Sequence, residues 1–263
     1  MKHRGMFFLS ILFCVFFCPL TGIHAAEFYG NAPTGLLQLE KKYPYYLYVP
    51  KEYSTDKKWP LAIVIGNTAQ EPKVVVEEWQ DWAKTNQVFL LVTSIFPKEG
   101  YLPVEVDRWI FRIKQEVAER YRIDSSQVLL IGVESGAQYS AYLGLKYPNE
   151  FSATALFRRA WPGPLEKLMR PSKEPIEQTP FYVAVDPNLE VFPAIEAKAA
   201  ELEQKGYFVT FDPLKTDEDF SLHRDRMAKW FLQELQNRAP IPIKPRTGFK
   251  GTLREMWKNI FGK

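Results

Sequence analysis

Val128-Leu129-Leu130-Ile131-Gly132-Val133-Glu134-Ser135-Gly136-Ala137 is the stretch on which the fold turns. Its four leading apolar residues read as a strand buried on both faces. Gly132 and Gly136 bracket a tight turn, and the run beyond, up to the residue before Pro148, suits a helix. A strand that ends in a sharp turn at a helix start holds one side chain up at the carboxyl edge of a sheet, where ligands bind in α/β proteins. The residue so presented is Glu134, with Ser135 beside it.

Outward from that stretch the pattern repeats. Residues 45–49, 61–65, 88–92, 153–157, 181–185 and 207–211 are short apolar, β-branched or aromatic runs bounded by breakers, and read as strands. Between and after them, residues 74–83, 106–121, 136–147, 194–205 and 224–235 read as helices. In the second of these, Val106, Trp109, Ile110, Ile113 and Val117 recur at helical spacing. Strands alternating with helices of this length imply βαβ units, hence a mostly parallel sheet with helices on both faces. Residues 161–180 lack periodicity and carry five prolines, so a loop or small cap is expected there, either a plain connection or a cover over a ligand site.

A chain of 263 residues with 46% apolar and 15% aromatic content can bury one sizeable core. The first 26 residues stand apart from it. Lys2 and Arg4 precede an apolar run from Met6 to Ile23, and Ala25 and Ala26 follow. That is the layout of a secretory leader, which implies export to a periplasmic or extracellular location; an uncleaved anchor is the rival reading. Both cysteines, Cys14 and Cys18, lie inside this segment, so the mature chain is expected to have no disulfide, thiol nucleophile or thiolate metal site. The net charge of +3 is unevenly spread: residues 1–26 carry +2 and residues 238–263 carry +6, which leaves −5 for the body. An acidic body does not suggest a nucleic-acid partner.

The basic tail has its own pattern. Ala239-Pro240-Ile241-Pro242-Ile243-Lys244-Pro245 is expected to be an extended linker. Beyond it, Leu253, Met256, Trp257, Ile260 and Phe261 form one apolar stripe behind the capping-box residues Thr252 and Glu255. A basic amphipathic helix at 252–263 suits an anionic membrane surface, a partner, or docking onto its own acidic body.

Several local motifs resemble one family. Tyr46-Leu47-Tyr48-Val49-Pro50 with Trp59-Pro60-Leu61, Arg120-Tyr121-Arg122-Ile123-Asp124 before the central strand, and Tyr147-Pro148-Asn149-Glu150-Phe151 after the central helix are similar to secreted α/β-hydrolases of the feruloyl-esterase and polyhydroxybutyrate-depolymerase type. The resemblance spans about residues 44–235. It implies an α/β-hydrolase fold, with the turn at Gly132–Gly136 as the nucleophile elbow G-x-S-x-G. It also implies a Ser–acid–His triad and backbone donors for an oxyanion.

Measured against that pattern, each expected residue is altered. Glu134 stands where the nucleophilic serine belongs, and Ser135 would need the turn to shift by one residue. The oxyanion loop reads Gly66-Asn67 instead of His-Gly. The acid position falls on Leu189, with Asp186 and Glu190 near enough to substitute. The histidine position falls on Glu218. With His3 and His24 in the leader, His223 is the one histidine left for any mechanism, and an exposed helix-start position is expected for it. A facing pair of Glu134 and Glu218 would share a proton or a hard cation. No resident cofactor or metal is expected.

The leading expectation is an exported pseudohydrolase that binds a small molecule or a protein in its cleft. An active serine-type carboxylic-ester hydrolase using Ser135 and His223, with Asp186 or Glu190, is a second. A tail-anchored envelope interaction protein is a third.

Overall fold

The computed structural model describes residues 32–39, 44–67, 69–93, 103–161, 179–215 and 218–237. The expected leader, most of the Pro-rich cap, and the linker and basic helix at 238–263 lie outside the described residues.

Eight strands form one sheet: β1 (Gly35–Leu39), β2 (Tyr45–Val49), β3 (Trp59–Ile65), β4 (Phe89–Val92), β5 (Ile123–Val133), β6 (Ala153–Phe157), β7 (Phe181–Ala184) and β8 (Val209–Phe211). Their spatial order is β1-β2-β4-β3-β5-β6-β7-β8. β2 pairs antiparallel with β1 and β4, and every pair from β4 to β8 is parallel. Five helices connect them: α1 (Pro72–Thr85), α2 (Pro103–Arg120), α3 (Ser135–Lys146), α4 (Phe192–Gln204) and α5 (Phe220–Asn237). A parallel sheet crossed over at β3/β4 and opened by an antiparallel hairpin is the α/β-hydrolase fold. Among the described residues, no helix is long and apolar enough to cross a membrane.

The all-apolar strands are buried on both faces, and their alternation divides the interior in two. Leu61, Ile63 and Ile65 of β3 point into a core with Ile110, Ile113 and Val117 of α2 and Tyr139 and Leu143 of α3. Ala62 and Val64 point the other way, to Val76 and Trp79 of α1 and Met227 and Phe231 of α5. The central strand β5 is therefore sandwiched, and its carboxyl end is the rigid base of the elbow.

The differences from the sequence reading are largest at three elements. β1 is an added edge strand whose residues alternate between half-buried and exposed, too weak a period to mark it in advance. β5 begins at Ile123, five residues before its apolar run, because its pairing with β3 starts at Trp59↔Ile123. α5 begins at Phe220, not at 224, because the Asp219 carboxylate accepts the backbone N–H of Ser221 and starts the helix there. His223 thus lies within the first turn and is 1% exposed, which corrects the expected exposed position.

Candidate functional site

The elbow is built by close backbone approach. A Cβ on Gly136 would stand 2.0 Å from the Ile65 carbonyl oxygen, and one on Gly132 would stand 2.5 Å from Ala137 Cα. Only hydrogen fits at either position, so β5, the β3 loop and α3 meet at van der Waals distance. Glu134 sits at the crest with φ 54° and ψ −115°, outside the regions L-residues favour. Its backbone is tied down on both sides: its N–H donates to Phe157 O at 2.9 Å, and its carbonyl accepts from Ala137 N–H at 3.0 Å. The position with the elbow's backbone geometry is 134, while Ser135 is the first residue of α3.

The Glu134 carboxylate is clamped. Asn67 Nδ2 donates to its Oε2. Arg158 Nη1 donates to its Oε1 at 3.1 Å. Asn67 is oriented by its own turn, since its Oδ1 accepts the Ala69 N–H at 3.0 Å and its carbonyl accepts the Gln70 N–H at 3.1 Å. The Ser135 hydroxyl also lies within reach of Asn67 Oδ1, at 3.5 Å. Arg158 follows β6 and itself has a positive φ of 63°, with its N–H donating to Ala184 O at 2.7 Å. Both ends of one ion pair are therefore strained backbone positions at the carboxyl edge of the sheet. Glu134 and Arg158 side chains keep 33% and 52% of their exposure, so the pair faces the solvent side of the cleft.

His223 lies in a different cluster. Its Nδ1 is 2.7 Å from Asp212 Oδ2 and its Nε2 is 3.1 Å from Glu218 Oε2. Arg226 closes the group, with Nε to Asp212 at 2.9 Å and Nη2 to Glu218 at 2.9 Å. The Tyr182 hydroxyl donates to the same Asp212 oxygen. Burial works to raise the Asp212 carboxyl, but the donors Arg226, Tyr182 and His223 outweigh it and hold the group below the usual carboxylate range. Arg226 likewise holds Glu218 low, and burial together with the Asp212 carboxylate pushes the Tyr182 phenol up. Both ring nitrogens of His223 are thus engaged by this cluster.

The remaining candidates are placed apart. Asp186 follows β7 and caps its own turn, accepting Asn188 N–H at 2.8 Å. Leu189 and Glu190 are exposed residues of that turn. Glu218 joins Arg226 and His223, whereas Glu134 joins Asn67 and Arg158, so the structure does not bring the two glutamates into one pair. Among the described residues no group of three or more His, Cys, Asp or Glu side chains is arranged to hold a metal ion.

Sequence reasoning missed Arg158, Asp212 and Arg226. Arg158 could have been found, because it is the first polar residue after a strand at the carboxyl edge. Asp212 occupies the equivalent position after β8, but spacing drew attention to Glu218 instead.

Beside the clamp lies a cavity of about 250 Å³ lined by Gly66, Gln70, Val75, Glu78, Trp79, Val133, Arg158, Phe220 and Arg224. Its walls come from α1, the start of α5 and the ends of β3, β5 and β6. The cavity thus opens at the carboxyl edge of the sheet, and Arg158 is shared between its wall and the Glu134 clamp.

No protein-family profile and no curated protein sequence matches this chain. Solved structures do. A thermostable esterase superposes with a TM-score of 0.52 at 17% identity over 76% of this chain, which spans 59% of that esterase. The S-formylglutathione hydrolase FrmB of Staphylococcus aureus superposes with a TM-score of 0.57 at 8% identity, covering 76% of this chain and 97% of that one. Esterase 2 of Thermogutta terrifontis, phosphoramylated by tabun, gives 0.58 at 12% identity, covering 78% and 97%. These likenesses agree with the α/β-hydrolase fold read from the strand order.

Proposed function

We propose that this protein is a non-catalytic member of the α/β-hydrolase superfamily that has kept the cleft for binding. The observation that carries this reading is the clamp on Glu134. The crest of the elbow holds a carboxylate, and both of its oxygens are hydrogen-bonded to neighbours on the frame. Hydrogen bonds and an ion pair to both oxygens lower the nucleophilicity of a carboxylate, and a hydroxyl nucleophile needs a base in reach. Here the carboxylate is engaged by Asn67 and Arg158, while the histidine is enclosed by Asp212, Glu218 and Arg226. The sequence features of a leader support export as part of the same proposal, and the resemblance to the secreted feruloyl-esterase and depolymerase branch supports its descent.

The similarity to active esterases favours a second reading, an ester hydrolase using Ser135 and His223. The two readings separate in one assay. Purified protein is incubated with short p-nitrophenyl esters and with a fluorophosphonate probe. The binding reading expects neither turnover above the buffer rate nor labelling. Labelling that disappears in Ser135→Ala would establish the esterase instead. Glu134→Ser supplies a further check: it restores the elbow hydroxyl, yet activity should stay absent because no base is positioned to accept its proton.

A further inference from the structure

Resting on the reading of the cleft as a binding site, we infer that its ligand is a small organic carboxylate with a planar apolar body. The charge around the cavity is the starting point. Its lining includes two guanidiniums, Arg158 and Arg224, against one carboxylate, Glu78. Glu78 Oε1 already accepts from Gln70 Nε2 at 3.2 Å. Arg158 is balanced by Glu134. Arg224 makes no ion pair at contact distance among the described residues: its Nη1 donates to the neutral backbone carbonyl of Glu78, its Nε is buried without an acceptor, and the Asp219 carboxylate acts on it only through space. A guanidinium at a cavity wall whose Nε lacks an acceptor gains a charge-assisted hydrogen bond from an anion that can reach it.

The rings set the shape. Arg158 lies 5.0 Å and Arg224 5.5 Å from the centroid of the same Phe220 ring. Arg224 also lies 5.4 Å from the Trp79 ring, and Trp79 meets Phe220 edge to face at 6.1 Å. Stacking fixes the two cations and removes freedom that a flexible arginine would lose on binding. The accessible apolar wall is the half-buried Phe220 with part of Val133, while Val75 and Trp79 are buried behind it. A volume near 250 Å³ is smaller than the roughly 300–1,000 Å³ of drug-sized ligand sites, which restricts the occupant to about one ring and its substituent. The carboxylate would sit toward Arg224 and Arg158, reducing their mutual repulsion, with the flat body against Phe220.

Benzoate is the probe, titrated into the purified full chain by calorimetry and by tryptophan fluorescence. Benzamide repeats its shape without charge, acetate its charge without the ring, and inorganic phosphate is an anion with neither carboxylate nor ring. Saturable benzoate binding is expected with a Kd of about 1 mM or tighter, equivalent to about −4 kcal/mol. Benzamide, acetate and phosphate should each bind at least tenfold weaker. Arg224→Gln should weaken benzoate at least tenfold. Because Arg224 also bonds the α1 backbone, the half-exposed Arg158→Gln serves as a second variant, with the same direction expected and an unchanged melting temperature.

No saturation by about 20 mM benzoate would overturn the inference, as would benzamide or phosphate binding as tightly. So would wild-type affinity in both variants. Ester turnover is followed on the same sample. Turnover with carboxylate binding intact removes the non-catalytic reading alone, whereas absent binding without turnover removes this inference alone.

Discussion

The two polar clusters of this protein differ in everything except chemistry. Glu134, Asn67 and Arg158 meet at the ends of three strands, part-exposed, with Glu134 and Arg158 on strained backbone. His223, Asp212, Glu218 and Arg226 meet on the flank of α5, with the histidine 1% exposed inside a regular helical turn. The first cluster borders a cavity and spends backbone conformational energy to stay where it is. The second fills its own space and is tied to the sheet through Tyr182. The first cluster is strained and open to a cavity, whereas the second is closed and sits on an unstrained helical turn. The histidine belongs to the second cluster, with both ring nitrogens in contact with charged partners.

Several changes would break or sharpen that contrast. The largest effect is expected at the frame of the first cluster. Gly136→Ala must push a methyl into the Ile65 carbonyl, so a loss of about 3 kcal/mol or more is predicted by urea unfolding. A loss under about 1 kcal/mol would show that the elbow can relax and is not rigid.

Next comes the second cluster. Asp212→Ala removes the acceptor shared by Arg226, Tyr182 and His223, and should cost about 2–3 kcal/mol. Its pH dependence follows in sign. The folded carboxyl is held below its unfolded value of about 3.9, so its contribution is complete above that pH and is lost as pH falls through the lower folded value. Acid unfolding of Asp212→Asn should therefore show a shallower decline below about pH 4 than the parent. Parallel acid-unfolding curves would assign the acid sensitivity elsewhere.

The smallest effect belongs to the elbow residue itself. An ion pair with half its exposure contributes little, about 1 kcal/mol or less. Relief of the positive φ should return about 1 kcal/mol. Glu134→Gly is thus predicted to leave the unfolding midpoint unchanged or slightly raised. A clear destabilisation would mean that the clamp is structural, and that the two clusters are of one kind after all.

Most of the fold was legible because its signals are local and repeated. The runs at 61–65, 88–92 and 128–131 are continuous and apolar, which suits strands covered on both faces, and the intervening segments have helical spacing. The elbow glycines announced their turn. The site was legible only in part, because side-chain partners join segments far apart in the chain. Nothing near Glu134 in sequence points to Arg158 or Asn67. His223 was misplaced because its neighbourhood was read from the spacing of a catalytic loop; Asp219, a good N-cap four residues earlier, carried the better signal.

A buried carboxylate was also missed. Asp107 is 2% exposed on α2, yet it accepts the hydroxyls of Tyr139, Tyr142 and Tyr147 and pairs with Lys146 at 3.2 Å. The apolar stripe of α2 identified its neighbours, but an acidic residue on the flank of such a stripe reads as solvated unless its partners on α3 are known.

The closeness of Gly136 to the Ile65 carbonyl has a consequence for engineering. The turn is dimensioned by two hydrogens and a carbonyl, none of which belongs to residue 134. The crest is therefore a socket, and what is plugged into it is independent of the mould around it. A library at position 134 alone should give proteins of one shape and many chemistries.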